Sequence, residues 1–364
     1  TESNHTLAIW NGIELNDPYF GGFNWAHLAT DGLARVEVVR GPFSSLYGGD
    51  ALGGVVQILS NRQQGVQLNL EAGQDNYARA GLSGGVRVGS VQFDVAGHTR
   101  QGDGQIDNDD FASDELMVSG DWQISPAVNL GLVLRGLDAE TGIAYSGGAP
   151  SPNRRIRWEE RLVGVPLRFE QGDWKVQGQI SGVFYDNSFR DPDDAFGFTA
   201  SDTESEVLRG RAVASYDLNQ PGSWIAFGGE IDESDVEDSS SFGVNLDGEG
   251  QRNWGLFSEL YYVIGDFRLD LGLRHDDNDV FGGQTSPRVG AQWFATGRTR
   301  LWTSYGEAFS PPSVGELYFP LSGNPELLPE TSQSFELGAE HRRAGWRFSL
   351  TGYDNDLTNL IDFD

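Results

Sequence analysis

The chain has 364 residues, with 54 acidic against 25 basic side chains, a net charge of −29, 49 glycines, 12% aromatics and no cysteine. That charge is wrong for nucleic acid, which selects basic surfaces. The aromatic content is too high for a disordered chain, and without cysteine there is no disulfide framework, thiolate metal site or thiol nucleophile. Length alone allows two domains or one large β domain. No run of 18 apolar residues is present, so no transmembrane helix is expected. A mean hydropathy of −0.40 still permits a membrane protein, because barrel strands turn only alternate residues to lipid.

The first segment, residues 1–62, mixes short strands and turns. It opens without an initiating Met, a basic n-region or an apolar h-region, which reads as a start in mid-protein. Leu7, Ile9 and Trp10, then Ile13 and Leu15, flank a hairpin signal at Asn11-Gly12. Asn16 to Trp25 is a loop rich in aromatics. Arg35 to Leu59 then reads as strand (Arg35–Val39), tight turn (Gly41-Pro42), short helical turn (Phe43–Tyr47), glycine-rich bend and second strand (Val55–Leu59). Gly48, Gly49, Gly53 and Gly54 suit positive φ and close backbone approach. A phosphate-cradling loop is rejected: no Gly-Lys-Ser/Thr follows, and no G-x-G-x-x-G opens a long helix.

From about Gly65 the pattern changes to segments of ten to fourteen residues with period two. Trp174, Val176, Ile180 and Phe184 alternate with Lys175, Gln177, Gln179 and Ser181; Phe267, Leu269, Leu271 and Leu273 with Arg268, Asp270 and Arg274; Trp346, Phe348 and Leu350 with Arg347, Ser349 and Thr351. Alternation fits a soluble sandwich as well as a membrane barrel, and the connections decide. One set is short (88–90, 125–126, 171–173, 220–222, 265–266, 296–297, 344–345). The interleaved set is long and acidic (101–113, 139–157, 187–203, 234–250, 277–285, 308–330). Short and long turns at opposite ends are the layout of outer-membrane barrels. The outward face is expected to carry Trp174, Val176, Phe267, Leu269, Trp346 and Phe348. Trp122, Trp158, Trp174, Trp224, Trp254, Trp302 and Trp346 suit interfacial girdles. The expected fold is all-β: a transmembrane antiparallel barrel, partial at about fifteen strands, since bacterial single-chain barrels close with an even number.

The Arg35–Leu59 stretch resembles the end of the plug domain of TonB-dependent outer-membrane receptors. Ala308–Tyr318 followed by Gly323–Gly338 is similar to the barrel motif of the same family. The resemblance implies the C-terminal part of a plug over 1–62 and an incomplete receptor barrel over 63–364. It also implies a bacterial outer-membrane location, contact with outer-membrane lipid, and TonB as partner through a segment absent here. Gly12–Asn16, Asp107–Asp109, Gly265–Phe267, Asp276–Asn278 and Gly352–Asp364 are closer to the cobalamin receptors of the family.

By that resemblance Asp103, Asp107 and Asp109 fall on calcium-ligand positions, where clustered Asp with Asn108 supplies oxygens. The Tyr-Asp pair of the next loop in those receptors has no counterpart at Ile143–Ser146, and a solvated acidic loop is the bland alternative. Tyr19, Phe20, Phe23, Asn24 and Trp25 would form an apical loop facing the ligand from below. Arg35, Glu37 and Arg40 are expected in buried ion pairs between plug and wall.

Catalysis finds no footing. His5, His27, His98, His275 and His341 are scattered, and Ser44 and Ser45 lack a nucleophile elbow. Acidic loops repel anionic ferric complexes and favour neutral or cationic cargo, cobalamin-like. A siderophore receptor of the same family is the alternative. The rival from another class is a soluble or surface calcium-dependent β-rich binding protein with its strands packed sheet on sheet.

Overall fold

A computed structural model describes residues 3–362 except 29, 63 and 321; the expectation about the first two residues lies outside it. The first sheet holds β1 (Thr6–Trp10), β2 (Ile13–Glu14), β3 (Leu33–Arg40) and β4 (Gly54–Ser60) in the order β2-β1-β4-β3. β1 runs parallel to β4, and the other pairs are antiparallel. Asn11 and Gly12, at φ 49° and 89°, make the expected tight turn. The helical turn α1 (Ser44–Tyr47) ends at Gly48, whose φ of 86° suits glycine. A Cβ on Gly49 would stand 2.9 Å from Pro311, so this glycine lets the bend lie against the wall.

The second sheet has fifteen antiparallel strands in sequence order. They are β5 (Gly65–Ala72), β6 (Ala78–Val88), β7 (Val91–Gly102), β8 (Phe111–Ser125) and β9 (Val128–Gly142). After a small hairpin of β10 (Tyr145–Ser146) and β11 (Ala149–Pro150) come β12 (Arg155–Gln171), β13 (Trp174–Arg190), β14 (Ala200–Asp217), β15 (Trp224–Ser240) and β16 (Gly243–Ile264). β17 (Phe267–Asn278), β18 (Gly282–Thr296), β19 (Thr299–Ser310), β20 (Glu330–Arg343) and β21 (Trp346–Thr358) complete it. Among the described residues β5 and β21 do not pair, so the sheet is an open barrel wall.

The strand count matches the alternation, and all seven short turns fall where the sequence places them. Trp174, Phe267, Leu269, Trp346 and Phe348 face outward and exposed, with Val176 half-buried on the same side. Their alternates face inward: Lys175, Gln177 and Gln179 line a cavity beneath the first sheet, and Asp270 pairs with Arg288, whose guanidinium sits 4.0 Å over the Phe43 ring. Outward apolar and inward polar is the barrel arrangement, the inverse of a soluble core.

Two expectations are corrected. The segment 234–250 is no loop: β15 and β16 extend through it to a turn at 241–242, and Val236 and Leu246 are buried against Val314 of α2 (Val314–Tyr318) with Tyr19 beside them. Three of the seven tryptophans do not join an outer girdle. Trp158 faces Phe20 and His27, Trp224 lines the lower cavity, and Trp302 shares the face of Gly306, which meets Pro42. The lumen is filled by the first sheet and takes those indoles inward.

Candidate functional site

The loop after β2 rises to the long-loop end of the barrel and is built by its own polar side chains. Asn16 Nδ2 donates to the carbonyls of Thr6 and Gly21 at 3.2 and 3.1 Å. Asp17 accepts from the Tyr19 amide at 2.8 Å, from Asn187 Nδ2 at 3.1 Å and from the Ser205 hydroxyl at 3.3 Å, which ties the loop to β13 and β14. Burial pushes the Asp17 carboxyl up to about 6. Asn24 caps the short turn Trp25–His27, its Oδ1 accepting from the Ala26 amide at 3.1 Å.

Four of the five residues expected to meet ligand, Phe20, Phe23, Asn24 and Trp25, line one cavity of about 430 Å³ between this loop and the wall. Phe20 is 51% and Trp25 39% exposed, whereas Phe23 is buried beneath them, edge-on to Trp25 at 5.0 Å. Tyr19, the fifth, turns away: its ring meets Phe20 at 4.5 Å and packs beside the Val236–Leu246–Val314 cluster.

The far wall is Trp158, 5.7 Å from both Phe20 and His27, with Glu159, Glu160 and Tyr185. Sequence reasoning missed this half. His27 is held neutral: burial first, then Arg135 and Arg100, push it down to about 4. The rim is acidic, and its arginines are already engaged. Arg154 meets Asp191 at 2.6 Å, Arg155 Asp110 at 2.8 Å, Arg157 Asp138 at 2.6 Å and Arg190 Asp202 at 2.7 Å. Deeper, Arg135 lies between Glu115 and Glu160 and donates to the His27 carbonyl at 3.2 Å.

Asp103, Asp107 and Asp109 share the loop after β7 but not one centre. Asp103 accepts from Asn76, Asp107 is exposed, and Asp109 accepts from the amides of Gln105 and Ile106 at 2.9 and 3.2 Å. Among the described residues no three His, Asp or Glu side chains cluster as a metal set. Asn108, at φ 60°, instead pins two loops together, its amide donating to the carbonyls of Ile143, Ser151 and Arg154 at 3.2, 2.6 and 2.8 Å.

The plug–wall ion pairs exist, but not through the residues expected. Arg35 pairs with Glu37 at 2.8 Å along β3 itself, and both Arg35 and Arg40 are exposed. β3 is the edge strand of its sheet and turns these side chains away from the wall. The bridges are made by Glu14 to Arg209 at 2.7 Å, Asp31 to Arg79, and Arg62 to Asp121 at 2.9 Å, with a His5–Glu330 hydrogen bond at 2.5 Å beside them.

A small mixed sheet seated in a wall of long antiparallel strands, apolar outside and short-turned at one end, defines a plugged outer-membrane receptor barrel. Residues 102–364 match the family described as TonB dependent receptor-like, beta-barrel, and residues 1–55 the TonB-dependent Receptor Plug Domain. The chain belongs to the TonB-dependent receptor family, whose place is the bacterial outer membrane. It is 25% identical over 376 residues to the vitamin B12 transporter BtuB of Photobacterium profundum, covering 99% of this chain and 60% of that protein.

Solved structures share the fold. The ferric enterobactin receptor PfeA has a TM-score of 0.82 at 20% identity, covering 98% of this chain and 64% of that one. The copper transporter OprC has a TM-score of 0.83 at 16% identity, covering 97% and 64%. The chain thus spans about 60% of the length of the B12 transporter it resembles.

Proposed function

We propose that this chain serves TonB-energised uptake of a large, scarce nutrient, that its cargo is cobalamin-like, and that it performs no catalysis. The observation that carries the reading is the apex cavity. Phe20, Trp25 and Trp158 offer flat apolar faces, Asn24 and the acidic rim offer hydrogen-bond acceptors and donors, and Arg154, Arg155, Arg157 and Arg190 of the rim are paired with carboxylates. Ferric catecholates are anions that call for free Arg or Lys. A neutral ring system with amide edges suits aromatic walls and acidic neighbours better. The similarity to a vitamin B12 transporter points the same way.

Quenching of Trp25 and Trp158 fluorescence in the purified protein tests this, with cyanocobalamin and ferric enterobactin titrated separately. Saturable quenching by cyanocobalamin, weakened in Trp25→Ala, is expected; saturation by the ferric catecholate alone would make the protein a siderophore receptor. Calcium at Asp103, Asp107 and Asp109 belongs to the same reading. Calorimetry on the parent and on Asp107→Ala tests it, and equal heats in both would leave the loop as solvated acid.

A further inference from the structure

The net charge of −29 is not spread evenly over the wall. At the short-turn end of β18–β21 its sign is reversed. Arg298 lies in the turn before β19 and Arg300 near the start of that strand. Arg342 and Arg343 end β20, and Arg347 follows Trp346 in β21. Against these five arginines, residues 296–300 and 340–347 hold one carboxylate, Glu340. The short turns at 171–173 and 265–266 carry Asp173 and Asp266 instead.

The two arginine-bearing turns form one unit. The Arg342 amide donates to the Arg298 carbonyl at 2.8 Å, and Thr299 stands opposite His341 in the ladder. Glu340 is shared three ways: Arg342 Nε and Arg347 Nη2 each reach it at 2.6 Å, and Arg300 Nη2 at 3.9 Å. One carboxylate therefore balances one of three guanidiniums. Arg298 and Arg343 are exposed and meet no carboxylate among the described residues.

The height of this corner on the wall says what it faces. Trp346 stands directly opposite Arg343 and points outward with Phe348, and Leu350 continues the same face into the lipid-facing band. The Trp346 and Phe348 rings stack at 6.1 Å, and Phe267 and Trp293 stack likewise at 5.9 Å. Outward aromatics near strand ends mark the level of the lipid headgroups. Short turns lie on the periplasmic side of an outer-membrane barrel, so the headgroups met here are those of the inner leaflet.

A guanidinium meets phosphate through two parallel N–H donors. A zwitterionic headgroup also brings an ammonium, which excess guanidinium repels; an anionic headgroup brings the phosphate without it. We propose that the corner formed by Arg298, Arg342, Arg343 and Arg347 binds an anionic phospholipid headgroup of the inner leaflet. Arg298 and Arg343 take the phosphate, Arg342 and Arg347 supply the field beside it, and Trp346 and Phe348 meet the start of the acyl chains.

Native mass spectrometry of the full-length receptor, with dioleoylphosphatidylglycerol or dioleoylphosphatidylethanolamine added to the micelles, counts the lipid retained. The parent is expected to keep several-fold more of the phosphatidylglycerol. Arg298→Gln with Arg343→Gln should abolish that preference. Arg87→Gln with Arg268→Gln removes the same charge from other short turns and should preserve it. High ammonium acetate should erase the preference in the parent without any substitution. Equal retention of the two lipids by the parent would overturn the proposal and leave the corner to an acidic protein of the periplasm. Equal loss in both double variants would also overturn it, since total charge and not this corner would then set the binding.

Discussion

The two flanks of the plug are made from the same short sheet and both carry ion pairs, Asp31–Arg79 and Arg62–Asp121 on one and Glu14–Arg209 on the other, but the larger apolar cluster lies on the first. On the flank facing β7–β13, Trp10 and Ile58 are almost fully buried, and the Arg135 guanidinium lies 5.9 Å from the Trp10 ring. On the flank facing β14–β17, carboxylates and guanidiniums face each other across small cavities. Apolar contact is costly to part because carbon surface meets water, whereas polar groups regain water as they part.

The comparison breaks most visibly at Trp10. Trp10→Ala should cost about 3–5 kcal/mol of plug docking through lost burial and the cavity left behind. Limited proteolysis of the plug in detergent against urea would measure it.

Next in size is a pH effect confined to the flank facing β14–β17. Burial raises Glu14 from 4.5 to about 8 and Asp50 from 3.8 to about 7, with Glu230 and Asp232 adding to the rise at Glu14, Asp232 adding to it at Asp50, and Arg209 opposing both. The docked state therefore binds more protons than the parted state. Docking on this flank is strongest below pH 4, where Glu14 meets Arg209 as a neutral carboxyl, and is lost as pH climbs toward 8. Thiol labelling at Ser234→Cys, relative to Met117→Cys, should rise between pH 6 and 8, and Glu14→Gln with Asp50→Asn should flatten the rise.

Smaller again, Phe20→Ala or Trp25→Ala should weaken cargo binding roughly tenfold by removing exposed aromatic area. Phe23→Ala, in the same loop but buried, should instead lower stability. Smallest is Arg157→Ala: the Arg157–Asp138 pair is exposed at the rim, so the change should stay under about 1 kcal/mol by denaturation.

Much of this was legible in the sequence because lipid imposes it. An outward face must be apolar along every strand, and that prints period two from Gly65 onward. Sidedness failed where charge lies on both faces. Around Trp158 the text reads Arg157-Trp-Glu-Glu-Arg161, alternation lapses near the rim, and nothing marks the indole as inward.

Arg35 and Arg40 failed for a different reason. Which face of β3 meets the wall depends on the order β2-β1-β4-β3, a set of non-local pairings that local pattern does not encode. The apex site was half visible. Phe20, Phe23, Asn24 and Trp25 are close in sequence and rich in aromatics, whereas Trp158, Glu160 and Tyr185 come from strands more than 130 residues later. His27 carried one signal, its position two residues past Trp25 in the same loop.

The difference between the flanks can be read directly by pulse-labelling Ser234→Cys and Met117→Cys in the purified protein across a urea series while the barrel remains folded. The account predicts that the Ser234→Cys thiol, on the flank facing β14–β17, becomes reactive at clearly lower urea than the Met117→Cys thiol in the apolar cluster. Simultaneous reactivity of both, or earlier reactivity of Met117→Cys, would contradict it.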